Sequence, residues 1–236
     1  MHLLDPLFRP RAVAIVGASA HLDKVTGRPL PNLLRHGYPG SIYPVNPNAT
    51  EIAGVRCWPT VASIPEQIDA AYLAVPAAEV PGALEACANR GAKAAIVYSS
   101  GFAEAGSEGV QRQADLVALA RKLGVRIAGP NCLGILNTRD RIMLTASSAP
   151  MEWPLPVGHI GLVSQSGALC SACISRGADR GIAFRYAVAS GNEADIDLSE
   201  YFGWMLQDPE VRAMCAVMEG LKQPRSFVAV CRQAAE

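Results

Sequence analysis

Short apolar blocks recur along the chain, and amphipathic stretches with helical spacing separate them. The blocks at 12–17 (AVAIVG), 41–45 (SIYPV), 71–75 (AYLAV), 94–98 (AAIVY) and 125–128 (VRIA) predict strands. None alternates cleanly between apolar and polar residues, which is the pattern of strands covered on both faces. Helices are predicted near 30–36, 79–90 and 108–123. In the last, Val110, Ala114, Val117, Ala118 and Ala120 to Leu123 form an apolar face, with Arg112, Asp115 and Arg121 toward water and Gly124 as the stop. Strands alternating with helices signal parallel α/β architecture.

The alternation breaks at 129–158, GPNCLGILNTRDRIMLTASSAPMEWPLPVG, which is rich in Pro, Ser and Gly and reads as an irregular connection. A second α/β run follows. Strand 159–164 enters a helix at SQSGALCSAC, strand 183–190 precedes a helix over 197–207, and strand 213–220 precedes a helix over 224–235. The predicted organisation is a domain at 1–130, a connection at 131–157 and a second domain at 158–236 with three strands. So small a parallel unit would expose an apolar edge, so self-association or a covering partner is expected.

Composition narrows the function classes. Half of the 236 residues are apolar and 18% are charged, as in a globular chain. Lys plus Arg equals Asp plus Glu at 21 each, so no long-range field favours nucleic acid or an anionic membrane. No apolar run approaches the ~20 residues of a membrane span. The seven scattered Cys read as reduced, packed thiols, which fits the cytoplasm. Cys170 and Cys173, in C-S-A-C, admit a redox dithiol as an alternative to close packing. No second ligand pair completes a zinc site.

Candidate chemistry lies where strands end. Gly17 follows the first strand directly and allows a tight turn, and Ala18 and Ser19 are small enough for backbone amides to approach a phosphate. The turns at 17–19, 45–47, 75–80, 99–104 and 129–134 fall at the carboxyl ends of successive strands, where open parallel sheets bind ligands. An NAD site places an acid after the second strand to hold the ribose hydroxyls. Here Asn46 stands there, before Pro47. A neutral turn, with Lys24 or Arg28 nearby, tolerates a phosphorylated ribose, as in NADP or coenzyme A. In the second run, S-Q-S-G (Ser164, Gln165, Ser166, Gly167) between strand and helix offers hydroxyls, free N–H groups and the positive end of the helix dipole. Helix capping alone is the alternative there.

The ordered set GAS with Gly27, IYPVNPNATEIAG, AVPAAEVP, SSGFAEAG, GPNCLGILN, GLVSQSGAL and ASGNEADID closely resembles the NDP-forming acyl-CoA synthetases, related to the succinyl-CoA synthetase α subunit. The resemblance runs from about Leu4 to Glu236. It implies an α/β fold: a Rossmann-like CoA-binding domain, then an incomplete flavodoxin-like domain. The implied reaction converts acid, CoA and NTP to acyl-CoA, NDP and phosphate through an acyl phosphate and a phosphohistidine. By resemblance, Gly17, Ala18 and Ser19 approach CoA phosphates. Asn46 and Pro47 lie by the adenosine, with Val75 and Pro76 near. Ser99, Gly101 and Phe102 line the pantetheine path, and Pro130 and Asn131 lie at the thiol end. Ser164 to Gly167 hold phosphate, and Glu219 orients a histidine.

That histidine is expected beyond Glu236, because His2, His21, His36 and His159 all lie outside an S-H-T-G-type segment. ATP or ADP and Mg enter the implied scheme only through an ATP-grasp domain or subunit, which this sequence lacks. The reading adopted is therefore the CoA-binding portion of an acid–thiol ligase, taking CoA and a carboxylic acid and inactive alone. The alternatives are a standalone regulatory CoA-binding module and an NADP-dependent oxidoreductase, the latter without any placed acid–base group.

Overall fold

The computed structural model describes residues 2–22, 24–152 and 154–235. The first unit opens with α1 (Asp5–Phe8) and β1 (Ala12–Val16). Helix α2 (Pro29–Arg35), β2 (Ser41–Val45) and an antiparallel ribbon of β3 (Glu51–Ile52) and β4 (Val55–Arg56) follow. Then come β5 (Ala70–Leu73), α3 (Val80–Asn89), β6 (Ala94–Val97), α4 (Ser107–Leu123) and β7 (Arg126–Ala128). The main sheet has the order β2-β1-β5-β6-β7 and is parallel throughout. Every residue of β1, β5 and β6 is buried, as the unbroken apolar blocks require. The order reverses between β1 and β5, so the switch-point crevice opens beside Gly17 and Ala74.

Helix α4 buries Gly109, Leu116, Val117 and Ala120 and ends at Gly124, whose φ of 66° only glycine adopts freely. Its buried face is rotated from the predicted one, because Val110 is exposed. Gly109 sets the rotation: a Cβ there would lie 1.8 Å from the Phe102 carbonyl oxygen, so the helix presses glycine-first onto the preceding loop.

The second unit comprises β8 (Gly134–Asn137), β9 (Ile142–Thr145), α5 (Ala149–Glu152), β10 (Ile160–Ser164), α6 (Gly167–Ala178), β11 (Phe184–Ala189), α7 (Leu198–Met205), β12 (Ala213–Val217) and α8 (Pro224–Ala235). Its sheet has the order β12-β10-β11-β8-β9. This corrects two expectations. The stretch read as an irregular connection carries the β8–β9 hairpin, and the described sheet has five strands rather than three. GILN and IMLT are short, and their Pro, Ser and Gly flanks look like loop. Their stability comes from pairing with β11 some fifty residues on, which local patterning does not show.

One apolar core joins the two units: Val13, Ile15, Tyr72 and Ile96 cluster with Ile135, Val163, Tyr186 and Trp204. Segment 192–196 lies along β7, with Ala194 N–H donating to the Gly129 carbonyl (2.9 Å) and Ile196 N–H to Ile127 (3.3 Å). Arg126 clamps the same junction, bonding Asp195 at 2.8 Å and Glu200 at 2.9 Å. On the far side, the buried Asn32 of α2 donates to the Thr145 and Ser147 carbonyls at 2.8 and 3.0 Å. The two strand-end edges therefore face each other in a fixed geometry.

Candidate functional site

A cleft of about 660 Å³ opens between the carboxyl ends of β6 and β7, the start of α2, and the N-terminus of α6. Among the predicted site residues it gathers Asn131, Gln165, Ser166, Gly167 and Glu219. Helix geometry leaves the Gly167 and Ala168 amides without intrahelical acceptors, and Ser166 caps the Leu169 amide at 3.3 Å. With the dipole, this makes an anion-accepting wall. Arg28 is the one cation among the described lining residues. It reaches the Ala146 carbonyl at 3.4 Å, leaving most of its donors to the cleft. Glu219 lies two residues beyond β12, with its carboxylate exposed.

The other predicted residues lie outside this cleft; several of them, and Gln165 in its lining, have structural roles. Ser164 is fully buried and its hydroxyl donates to the Ser166 carbonyl at 2.7 Å, so it shapes the turn and cannot meet a phosphate. The Gln165 side-chain amide is saturated: Nε2 donates to Glu193 and Gly220, and Oε1 accepts from the Glu219 and Gly220 amides. Phe102 is fully buried in the first-unit core, so its ring does not line a pantetheine path. Ser99 is buried and donates to the Val75 carbonyl, Pro130 is buried behind the cis Gly129–Pro130 bond, and Gly101 gives its amide to Glu104 at 2.6 Å.

At the switch point, the Gly17 and Ala18 amides both donate to the Val45 carbonyl, at 3.1 and 3.2 Å. Gly17 makes the tight turn expected of a glycine placed directly after the strand. Its φ is 81°, and a Cβ would lie 2.6 Å from the Ala74 carbonyl oxygen. Ser19 accepts the His21 amide, while Lys24, Pro47 and Pro76 are exposed and Val75 is half-buried along the same edge.

Asn46 is a clamp. Its Nδ2 donates to the Ala18 carbonyl at 2.8 Å and its Oδ1 accepts the Asn48 amide at 2.8 Å. An acid at this position could not donate, and its charge would face a carbonyl oxygen. Asn46→Asp is therefore expected to lose ~1–3 kcal/mol of stability in thermal or urea unfolding. Unchanged stability would show that the clamp is dispensable.

Residues 11–138 match the CoA binding domain family, and residues 157–236 match the succinyl-CoA ligase like flavodoxin domain. The chain belongs to the CoA binding domain family. The chain is 39% identical over 234 residues to the α subunit of acetate–CoA ligase (ADP-forming) I from Pyrococcus furiosus, covering 98% of this chain and 50% of that one. It is 38% identical over 233 residues to a trans-feruloyl-CoA synthase from an unknown prokaryotic organism, covering 98% and 33%. A solved structure of the Ca. Korarchaeum cryptofilum dinucleotide forming acetyl-coenzyme A synthetase 1, in complex with phosphate and ADP, superposes with a TM-score of 0.91 at 34% identity, over 98% of this chain and 49% of that one. The chain thus spans a third to a half of the length of these relatives.

Pattern reading missed several groups of the site. Glu104 accepts the Gly101 and Phe102 amides and bonds Asn192 of the second unit, which also donates to Gln113 at 2.9 Å. Burial opposes ionisation of Glu104, but the Asn192 amide and the backbone N–H groups outweigh it and hold its carboxyl below the usual range. Ser147 and Ser171 share a hydroxyl hydrogen bond of 2.8 Å in the cleft region. Glu104 stands within SSGFAEAG and Asn192 within ASGNEADID, but only the fold shows that they meet. Ser147 lies in the stretch taken for a connection.

The cysteines are all free. Burial pushes the Cys170 thiol up and away from thiolate chemistry, which favours packing over the dithiol alternative. None of the four histidines lines the cleft. His36 bonds the Pro150 carbonyl at 2.8 Å and His159 the Glu210 carbonyl at 2.9 Å. No helix among the described residues is long and apolar enough to cross a membrane.

Proposed function

We propose that this chain is the CoA-binding portion of an NDP-forming acyl-CoA synthetase, converting a carboxylic acid, CoA and NTP to acyl-CoA, NDP and phosphate. The observation that carries it is the convergence of Asn131, Arg28, the α6 N-terminus and Glu219 on one cleft. In this reading CoA extends from the β1–β5 crevice, past Ser19, Asn46 and Val75, so that its thiol reaches Asn131. Arg28 and the Gly167 and Ala168 amides then hold an anionic acyl or phosphoryl group, and Glu219 faces the incoming histidine. The relatives named above are an ADP-forming acetate–CoA ligase subunit, a feruloyl-CoA synthase and an acetyl-coenzyme A synthetase, which supports the assignment. The saturated amides of Gly17 and Ala18 leave Ser19 and Lys24 as the phosphate contacts of the switch point.

The histidine, an ATP-grasp domain or subunit and its bound Mg and ADP would come from outside these residues. A surface for such a partner, or for self-association, is the β12 edge with α8. Met218, Leu221 and Val228 are exposed there, and Val230 alone is buried on α8. Seven free thiols agree with a cytoplasmic setting. The test is incubation with labelled ATP and Mg, with CoA binding measured in parallel. The chain is expected to bind CoA and to acquire no protein-bound phosphate. A phosphorylated histidine within residues 1–236 would overturn the division of labour.

A further inference from the structure

The carboxylate of Glu219 is useful only if its turn is held still, yet its side chain has no described partner. What holds the turn is the side-chain amide of Gln165, whose Oε1 accepts the Glu219 amide at 2.6 Å and the Gly220 amide at 3.0 Å, while Nε2 donates to the Gly220 carbonyl at 2.7 Å. The remaining Nε2 proton goes to Glu193 at 3.1 Å. Glu193 is 4% exposed, and its other oxygen accepts the Ser190 hydroxyl at 2.6 Å. Its backbone sits at φ 49°, in the left-handed region that costs a non-glycine residue free energy. Its neighbours are pinned to the first unit, with Asn192 N–H on the Pro130 carbonyl and Ala194 N–H on Gly129, both at 2.9 Å. Strained backbone, a buried carboxyl and an amide with no unused donor or acceptor form one chain of bonds across the cleft.

We infer that Glu193 is a positioning residue: acting through Gln165, it fixes the 218–220 turn so that Glu219 faces the α6 N-terminus. This rests on the role given to Glu219 above. A merely structural carboxyl would stabilise the whole second unit. A positioning carboxyl affects one turn, and does so only while Gln165 is present.

The experiment is amide hydrogen exchange by NMR on the full chain, comparing wild type, Glu193→Ala, Glu193→Gln, Gln165→Ala and the Glu193→Ala/Gln165→Ala double variant. Glu193→Ala should speed exchange at the Glu219 and Gly220 amides roughly five- to tenfold, the weight of one hydrogen bond. Exchange in the rest of the second unit, in β8 and β11, should not change. Glu193→Gln, which keeps the shape and one acceptor, should give a smaller acceleration at the same two amides. In the Gln165→Ala background, Glu193→Ala should add little. Unchanged exchange at these amides in both Glu193 variants overturns the inference, as do additive effects in the double variant. Should Glu193→Ala fail to fold, Glu193→Gln alone decides by the same criterion. CoA titration of wild type runs alongside: failure to bind counts against the functional reading, while the exchange data still judge the relay.

Discussion

Replacing Asp208 with alanine is expected to cost about 3–5 kcal/mol of stability, the penalty for stranding a buried charge. Asp208 lies in the connection between α7 and β12 and accepts from Arg185 Nε at 2.7 Å and from the Tyr186 hydroxyl at 2.6 Å, with Arg139 at 3.4 Å. Arg185 and Tyr186 are both buried, so neither regains water when the carboxylate is removed. Burial alone would raise the Asp208 carboxyl. The Arg185 guanidinium and the Tyr186 hydroxyl outweigh it and hold it far below the ordinary carboxylate range. A depressed folded pKa means that the unfolded chain binds the proton more readily. The contribution is therefore full at neutral pH, begins to fade as pH falls toward the ordinary value of 3.8, and is lost as pH drops further through the folded value. Urea unfolding at neutral pH and in mild acid reads both effects. Asp208→Ala should narrow the gap between the two conditions, and an undiminished gap would assign the acid sensitivity elsewhere.

Phe8→Ala should cost a similar amount, about 3–5 kcal/mol for a fully buried aromatic. The ring stacks on Trp204 at 4.0 Å and meets Tyr186 and Tyr201 edge-on at 6.0 and 6.2 Å. Trp204 also donates to Asp5 at 3.0 Å and lies under the Arg9 guanidinium. The first ten residues thus staple α7 to the rest of the chain across nearly two hundred positions of sequence. They precede the stretch that matches the CoA binding domain family. Denaturant unfolding measures the loss. A drop below ~1 kcal/mol would mean that the cluster repacks around the gap.

The sheet of the first unit was legible because its strands are buried on both faces, and short unbroken apolar blocks between amphipathic helices fit little but a covered strand. The parallel order then follows from the alternation with helices, and the strand-end turns fall on one edge as expected. The hairpin of Gly134–Asn137 and Ile142–Thr145 was not legible, since a strand of four residues takes its identity from its partner. The site divides along a similar line. Local chemistry pointed to the α6 N-terminus and Glu219, which the fold brings to one cleft, because a helix start and a strand end announce themselves in sequence. It could not separate residues that face the cleft from residues that build its wall. Ser164 and Phe102 turned inward, and Gln165 became a brace. Glu104, Asn192 and Glu193 mattered only once loops nearly ninety residues apart had been folded together.

The Asn46 position bears the same lesson. A neutral residue in place of the expected acid pointed away from NAD, and the structure adds that its amide locks the turn from β1 to the exit of β2. That edge therefore presents a braced turn with no carboxylate at position 46.

Calorimetric titration of the 236-residue chain with CoA, with NADPH and NAD as controls in the same buffer, tests the central claim most directly. The account predicts saturable binding of CoA and none of either dinucleotide. Binding of NADPH or NAD without CoA would contradict it.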